Sequence, residues 1–150
     1  MLQIVSSDRV EGAFVSRPSV LLADDSSAIL EHVGKVLEKH EQYQVVGTAM
    51  DGAGVLRESS RLRPDVIVLD ISLGEASGID LARTLRDSGC HSKIVFLTVH
   101  EDFDYMNAAM GAGGSAYVVK SRLGIDLISA IDSALSGKLF VSASLLHKQS

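Results

Sequence analysis

The sequence predicts an α/β fold, a five-stranded parallel sheet doubly wound with helices on both faces. Three observations predict it. Short apolar runs rich in Val, Ile and Leu recur along the chain, as in Val66-Ile67-Val68-Leu69. Runs of this length, bounded by breakers, read as strands buried on both faces. Between them lie longer segments whose apolar residues fall at i, i+3/i+4 spacing, the mark of helices with one buried stripe. Strand and helix alternate five times, which implies parallel strands joined by right-handed crossovers.

The elements follow in order. Residues 1–18 are mixed and polar and read as a mobile N-terminal extension without a core role; an upstream start codon accounts for them equally well. Val20 to Ala23 is the first strand. Asp25 or Ser26 caps the next helix, which carries Ile29, Leu30, Val33, Val36 and Leu37 on one stripe. Gln44 to Met50 is the second strand. Asp51-Gly52 opens a helix with Val55, Leu56 and Leu62 inward, and Arg63-Pro64 ends it because the residue before Pro avoids the α region. The third strand follows and finishes at Asp70. Ile71 to Ser77 reads as a loop, and Gly78 to Ser88 as a helix with Ile79, Leu81, Ala82 and Leu85 inward and Gly89 as its stop. The fourth strand, Lys93 to Leu97, ends at Thr98. The fourth helix, Asp102 to Gly111, has a thin apolar face of Ala, Met and Gly and is expected to be less firmly held than the others. Ser115 to Val119 is the fifth strand, ending at Lys120. Leu123 to Leu135 is the fifth helix, with Leu127, Ile128, Ile131 and Leu135 on one face. Residues 19–136 thus form the domain, and residues 137–150 read as a tail or linker remnant.

Composition sets the bounds. A chain of 150 residues suits one domain. A net charge of -5 lacks the signature of a polyanion-binding protein, so no direct DNA binding is expected. The single Cys, Cys90, excludes an internal disulfide and fits a reducing compartment. No secretory signal or membrane-length apolar segment stands out. A soluble, cytoplasmic protein without membrane partners is expected.

The strand ends carry the chemistry. Four strands finish in Asp24-Asp25, Asp70, Thr98 and Lys120, and in open α/β sheets ligands bind at that carboxyl edge. Any one of these residues alone reads as a strand cap; all of them together argue for a shared site. Carboxylates ~4 Å apart repel by about 4 kcal/mol at an effective dielectric near 20, which raises a pKa unless a cation intervenes. Oxygen ligands of this kind suit Mg²⁺. With the positive charge of Lys120 and the hydroxyl of Thr98, the set fits a phosphoryl group whose phosphorus a carboxylate attacks.

On Asp24-Asp25, Asp70, Gly78, Thr98 and Lys120, in that order and placement, the chain resembles the receiver domain of two-component response regulators over about Ser19 to Ser136. The resemblance implies a flavodoxin-like sheet in the order 2-1-3-4-5. It implies that Asp70 accepts the phosphoryl group and that Mg²⁺ is held by Asp25 directly, by Asp24 largely through water, by Asp70 and by the backbone carbonyl of Ser72. Lys120 would contact the phosphoryl group, Thr98 would be the switch hydroxyl, and Tyr117 the aromatic ring that turns inward when Thr98 moves. The implied donor is a histidine kinase or phosphotransfer protein. The output lies in a partner met through the fourth helix, fifth strand and fifth helix, or in a domain outside this chain; homodimerisation is compatible with either. Such a domain is a slowly turning switch rather than a metabolic enzyme.

Three departures stand out. Leu73-Gly74 replaces the frequent Met-Pro and should loosen that loop. Lys120-Ser121 replaces a frequent Lys-Pro; a cis bond before Ser costs about 3–4 kcal/mol, so a trans bond is expected. Gly137 to Leu146 resembles the join that precedes a LuxR-type helix-turn-helix, a module for which the tail is too short. Ser72 and His100, two residues beyond Asp70 and Thr98, would flank the path of hydrolytic water, with His100 shielding the phosphoryl group. The alternatives are a small phosphohydrolase with an Asp nucleophile, disfavoured because Ser72 stands where its general acid is needed, and a cofactor binder of flavodoxin type, disfavoured because Asp24-Asp25 would repel a phosphate.

Overall fold

Successive residues of a strand point to opposite faces, and here both faces are apolar. Val20 and Leu22 of β1 (Ser19–Ala23) enter one core and Leu21 and Ala23 the other. The computed structural model describes residues 17–143 and Leu145. Within them β1 is followed by α1 (Ser27–Glu38), β2 (Gln44–Ala49), α2 (Gly52–Leu62), β3 (Val66–Asp70), α3 (Gly78–Asp87), β4 (Lys93–Thr98), α4 (Phe103–Gly111), β5 (Ala116–Val119), α5 (Leu123–Leu135) and β6 (Phe140–Val141). Helices α1 and α5 pack on one face of the sheet through Val33, Leu37, Leu127 and Ile131. Helices α2, α3 and α4 pack on the other through Val55, Leu81, Leu85 and Met106.

The sheet is parallel, in the order β2-β1-β3-β4-β5-β6. The first five strands take the expected order, but there are six strands where five were expected. Gly137, at φ +76°, turns the chain after α5, and Phe140–Val141, expected in a tail, runs parallel to β5. Backbone bonds Phe140 N–Ser115 O (3.2 Å) and Ser142 N–Tyr117 O (3.0 Å) satisfy edge groups that would otherwise face solvent. Ser142 and Leu145 are fully buried. The expected mobile extension lies, except for Arg17 and Pro18, outside the described residues, as do residue 144 and residues 146–150.

Smaller corrections concern faces and loops. The segment 71–77 contains a short antiparallel pair, Ser72–Leu73 against Ala76–Ser77, closed by Gly74 at φ +62° and anchored by buried Leu73. Ser26, rather than Asp25, caps α1 by accepting from Ile29 N. In α2, Leu56 is exposed and Ser59 buried, the hydroxyl donating to Leu56 O at 3.1 Å. In α5, Ala130 and Ala134 are buried beside Leu127 and Ile131, while Leu135 is 36% exposed. Helix α4 buries just Met106 and Ala109 of its own residues, as its thin apolar face implied. Cys90 is partly buried as a free thiol. Among the described residues no helix is long and apolar enough to cross a membrane.

Candidate functional site

Each site residue owes its position to a strand end. Asp24 follows β1 and Asp70 closes β3, the strand next to it in the sheet. Asp24 is 2% exposed and Asp70 4%, whereas Asp25 is exposed. One carboxylate oxygen from each of the three lies within 4.8 Å of the other two. Backbone amides fix the carboxylates: Ser26 N donates to Asp24 Oδ1 (2.9 Å), Ser72 N to Asp70 Oδ1 (3.0 Å) and Gly74 N to Asp25 Oδ2 (3.1 Å). The turn at Gly74 therefore carries an amide onto Asp25, a role the sequence did not disclose.

Lys120 directly follows β5 and bridges two acids, its Nζ lying 2.9 Å from Asp24 Oδ2 and 3.2 Å from Asp70 Oδ2. The contact with Asp24 is an ion pair off the hydrogen-bonding direction, and Asp24 Oδ2 is buried without a hydrogen bond of its own among the described residues. A buried anionic oxygen with a lone pair to spare, among two further carboxylates, fits a hard divalent cation. Electrostatics agree. Burial pushes the Asp70 carboxyl above the usual carboxylate range, and the charge of Asp24 adds to this, while the Ser72 amide and Lys120 oppose it. Burial alone would lower the Lys120 pKa, but Asp24 and Asp70 outweigh it and the net shift is upward. No described peptide bond is cis, so Lys120-Ser121 is trans, and Lys120–Arg122 form a 3-10 turn leading into α5.

Thr98 and Tyr117 lie behind the cluster. Thr98 is 1% exposed, and its Oγ1 accepts from His100 N at 2.9 Å. Tyr117 is fully buried, and its hydroxyl donates to His100 O at 3.0 Å. Burial pushes the phenol up to about 12, with hydrogen bonding to Thr98 working against it. The His100 ring stacks on Tyr105 of α4, with centroids 4.1 Å apart and planes 11° from parallel. His100 thus links Thr98, Tyr117 and α4. Ser72 has an exposed side chain. Gly78 lies directly under Asp70, its amide donating to Ile71 O at 2.6 Å.

Residues 20–132 match the family described as the response regulator receiver domain. The chain is 32% identical over 126 residues to YvfU, an uncharacterized transcriptional regulatory protein of Bacillus subtilis, covering 84% of this chain and 63% of that one. It is 30% identical over 129 residues to the transcriptional regulatory protein DesR of the same organism, covering 86% and 64%. The chain thus spans less than two thirds of the length of either relative. Among solved structures, a LuxR-family two-component response regulator from Aurantimonas sp. SI85-9A1 superposes with a TM-score of 0.83 at 29% identity, covering 88% of this chain and 94% of that one.

Proposed function

The chain belongs to the response regulator receiver family, and from that premise we propose that it is a phosphorelay switch that accepts a phosphoryl group on Asp70 from a histidine kinase or phosphotransfer protein. One observation carries the reading: Lys120 Nζ bridges Asp24 and Asp70 inside a cluster of three carboxylates. An Asp70 oxygen attacks phosphorus, and the bond from phosphorus to the donor nitrogen breaks as the new bond to oxygen forms. The Lys120 ammonium, held 3.2 Å from the attacking carboxylate, is within reach of a transferred phosphoryl oxygen. Thr98 Oγ1 accepts from the His100 amide, and its own proton would turn toward that same group. Asp24, Asp25, Asp70 and the carbonyl of Ser72 would hold Mg²⁺, which when bound offsets negative charge on the phosphoryl oxygens.

Movement of Thr98 toward the phosphoryl group would release the His100 amide and disturb Tyr117 and the Tyr105 stack, carrying the signal into α4. Exposed Val99, Phe103 and Tyr105 offer apolar surface there for an output partner. The output is a partner protein or a further domain, as the transcriptional regulators among the relatives suggest, and homodimerisation belongs to the same proposal. The chain is a switch, not a metabolic enzyme; a phosphohydrolase of dehalogenase type would need an acid at position 72, which is Ser. The test is intact-mass measurement after treatment with a small acyl phosphate and Mg²⁺. One added phosphoryl group is expected, and an unmodified chain would refute the reading.

Two further outcomes follow. Asp25→Ala should weaken Mg²⁺ binding by about tenfold and more than Asp24→Ala does, because Asp25 would touch the ion directly and Asp24 would act on it largely through water. Calorimetric titration checks the order, and the reverse order would remove Asp25 as the direct ligand. The second concerns lifetime. His100 shields the acyl phosphate, so His100→Ala should speed phosphate loss severalfold at fixed Mg²⁺, with Ser72→Asn speeding it by orienting a water. Unchanged decay in both variants would show that these positions do not set the lifetime.

A further inference from the structure

A second buried polar cluster lies outside the phosphoryl site. Ser142, just beyond β6, is fully buried, and Asp126 in the first turn of α5 is 6% exposed. The Ser142 hydroxyl donates to Asp126 Oδ2 at 2.9 Å and accepts from Val119 N at 3.0 Å. Arg122 also donates to Asp126, Nε to the same Oδ2 at 2.9 Å and Nη2 to Oδ1 at 3.4 Å. Val119 immediately precedes Lys120, and Arg122 follows it by two residues. The backbone that carries Lys120 is therefore pinned on both flanks, and both pins meet at Asp126. Without Ser142 the Val119 amide would be a buried donor lacking a partner, and the flank would shift to relieve it.

We propose that Ser142 and Asp126 are positioning residues for Lys120, and that the segment forming β6 is a clip that sets the lysine from outside the site. The inference rests on the reading of Lys120 as the group that contacts the phosphoryl oxygens. A lysine tip reports any tilt of its backbone, and a misplacement of about 1 Å at a reacting centre can cost ~10²-fold in rate. The clip also ties the geometry of the site to whatever follows residue 145, since pulling on that segment draws Ser142 away from Val119.

The test uses the whole chain, a small acyl phosphate as donor, and calorimetric titration with Mg²⁺. Ser142→Ala is expected to slow phosphorylation about tenfold while leaving Mg²⁺ affinity unchanged, and Ser142→Thr, which keeps the hydroxyl, to restore most of the rate. In a Lys120→Ala background Ser142→Ala should have no further effect, as expected of residues acting through one group. Asp126→Asn should behave like Ser142→Ala, with faster amide exchange confined to Val119 and its neighbours. A wild-type rate in Ser142→Ala overturns the proposal, and so does a loss that persists undiminished in the Lys120→Ala background. Loss of the fold in both Ser142→Ala and Asp126→Asn also overturns it, because the pair would then serve the core and not the lysine. If Lys120→Ala itself leaves phosphorylation unchanged, the functional reading fails and the inference falls with it.

Discussion

Asp70→Asn should abolish phosphorylation: after incubation with an acyl phosphate and Mg²⁺, its mass spectrum should contain only the unmodified chain. The amide nitrogen and oxygen of Asn keep the shape of the side chain but offer no anionic nucleophile. Neither neighbouring acid is placed to take over. Asp24 is tied to Lys120 and the Ser26 amide, and Asp25 is exposed and held by Gly74 N. Labelling of Asp70→Asn at the wild-type level would remove Asp70 from its role. The same variant has a second readout. Burial, reinforced by Asp24, holds the Asp70 pKa above 3.8 in the folded chain. A carboxyl raised in this way leaves stability intact below its unfolded pKa and weakens the fold as pH rises through its folded value. In Mg²⁺-free buffer at neutral pH, Asp70→Asn should therefore melt above the wild type, and the difference should shrink as the pH is brought below 3.8. A lower melting point at neutral pH would show that the Lys120 pair outweighs burial.

Gly78→Ala carries the next largest effect. A Cβ at this position would stand 2.3 Å from the Asp70 carbonyl oxygen and 2.9 Å from the Ile71 Cα. Both obstacles are backbone, so no side-chain rotation makes room. Overpacking of this kind costs about 1–3 kcal/mol, and an immovable neighbour puts Gly78→Ala at the upper end. A melting point lower by on the order of 10 °C is expected. The strand end that carries Asp70 must shift as well, so phosphorylation should slow by one to two orders of magnitude, roughly. Melting and labelling curves that superpose on those of the wild type would contradict this.

The fold was legible wherever local pattern and burial coincide. Val66 to Leu69 could hardly read as anything but a strand covered on both faces, and the residues that cap the strands announced a common edge. What escaped were features that depend on partners distant in sequence. Phe140–Val141 is too short to carry a periodicity, and it becomes a strand only because β5 presents unpaired groups beside it. Nothing in the pattern of the fifth helix marks Asp126 as buried, yet Arg122 and Ser142 enclose it. Leu56 and Leu135 read as core because they are large and apolar, whereas the helices turn Ser59, Ala130 and Ala134 inward and leave both leucines exposed. In the site, residue identities were readable from strand ends. The Gly74 amide on Asp25, the Gly78 contact under Asp70 and the His100–Tyr105 stack were not, since each depends on how loops fold back over those ends.

The two rims of the sheet also bear on how copies of this chain meet. A strand edge with free amides and carbonyls is a template onto which another chain can add. On one side the rim is β6, only two residues long, which leaves almost no ladder for an incoming strand. On the other it is β2, whose pairing with β1 slips register between Val20 and Leu21. Such an irregularity adds twist and spoils the flat repeat that stacking requires. Among the described residues, edge-to-edge polymerisation, the route toward amyloid-like fibres, is thus hindered at both ends of the sheet.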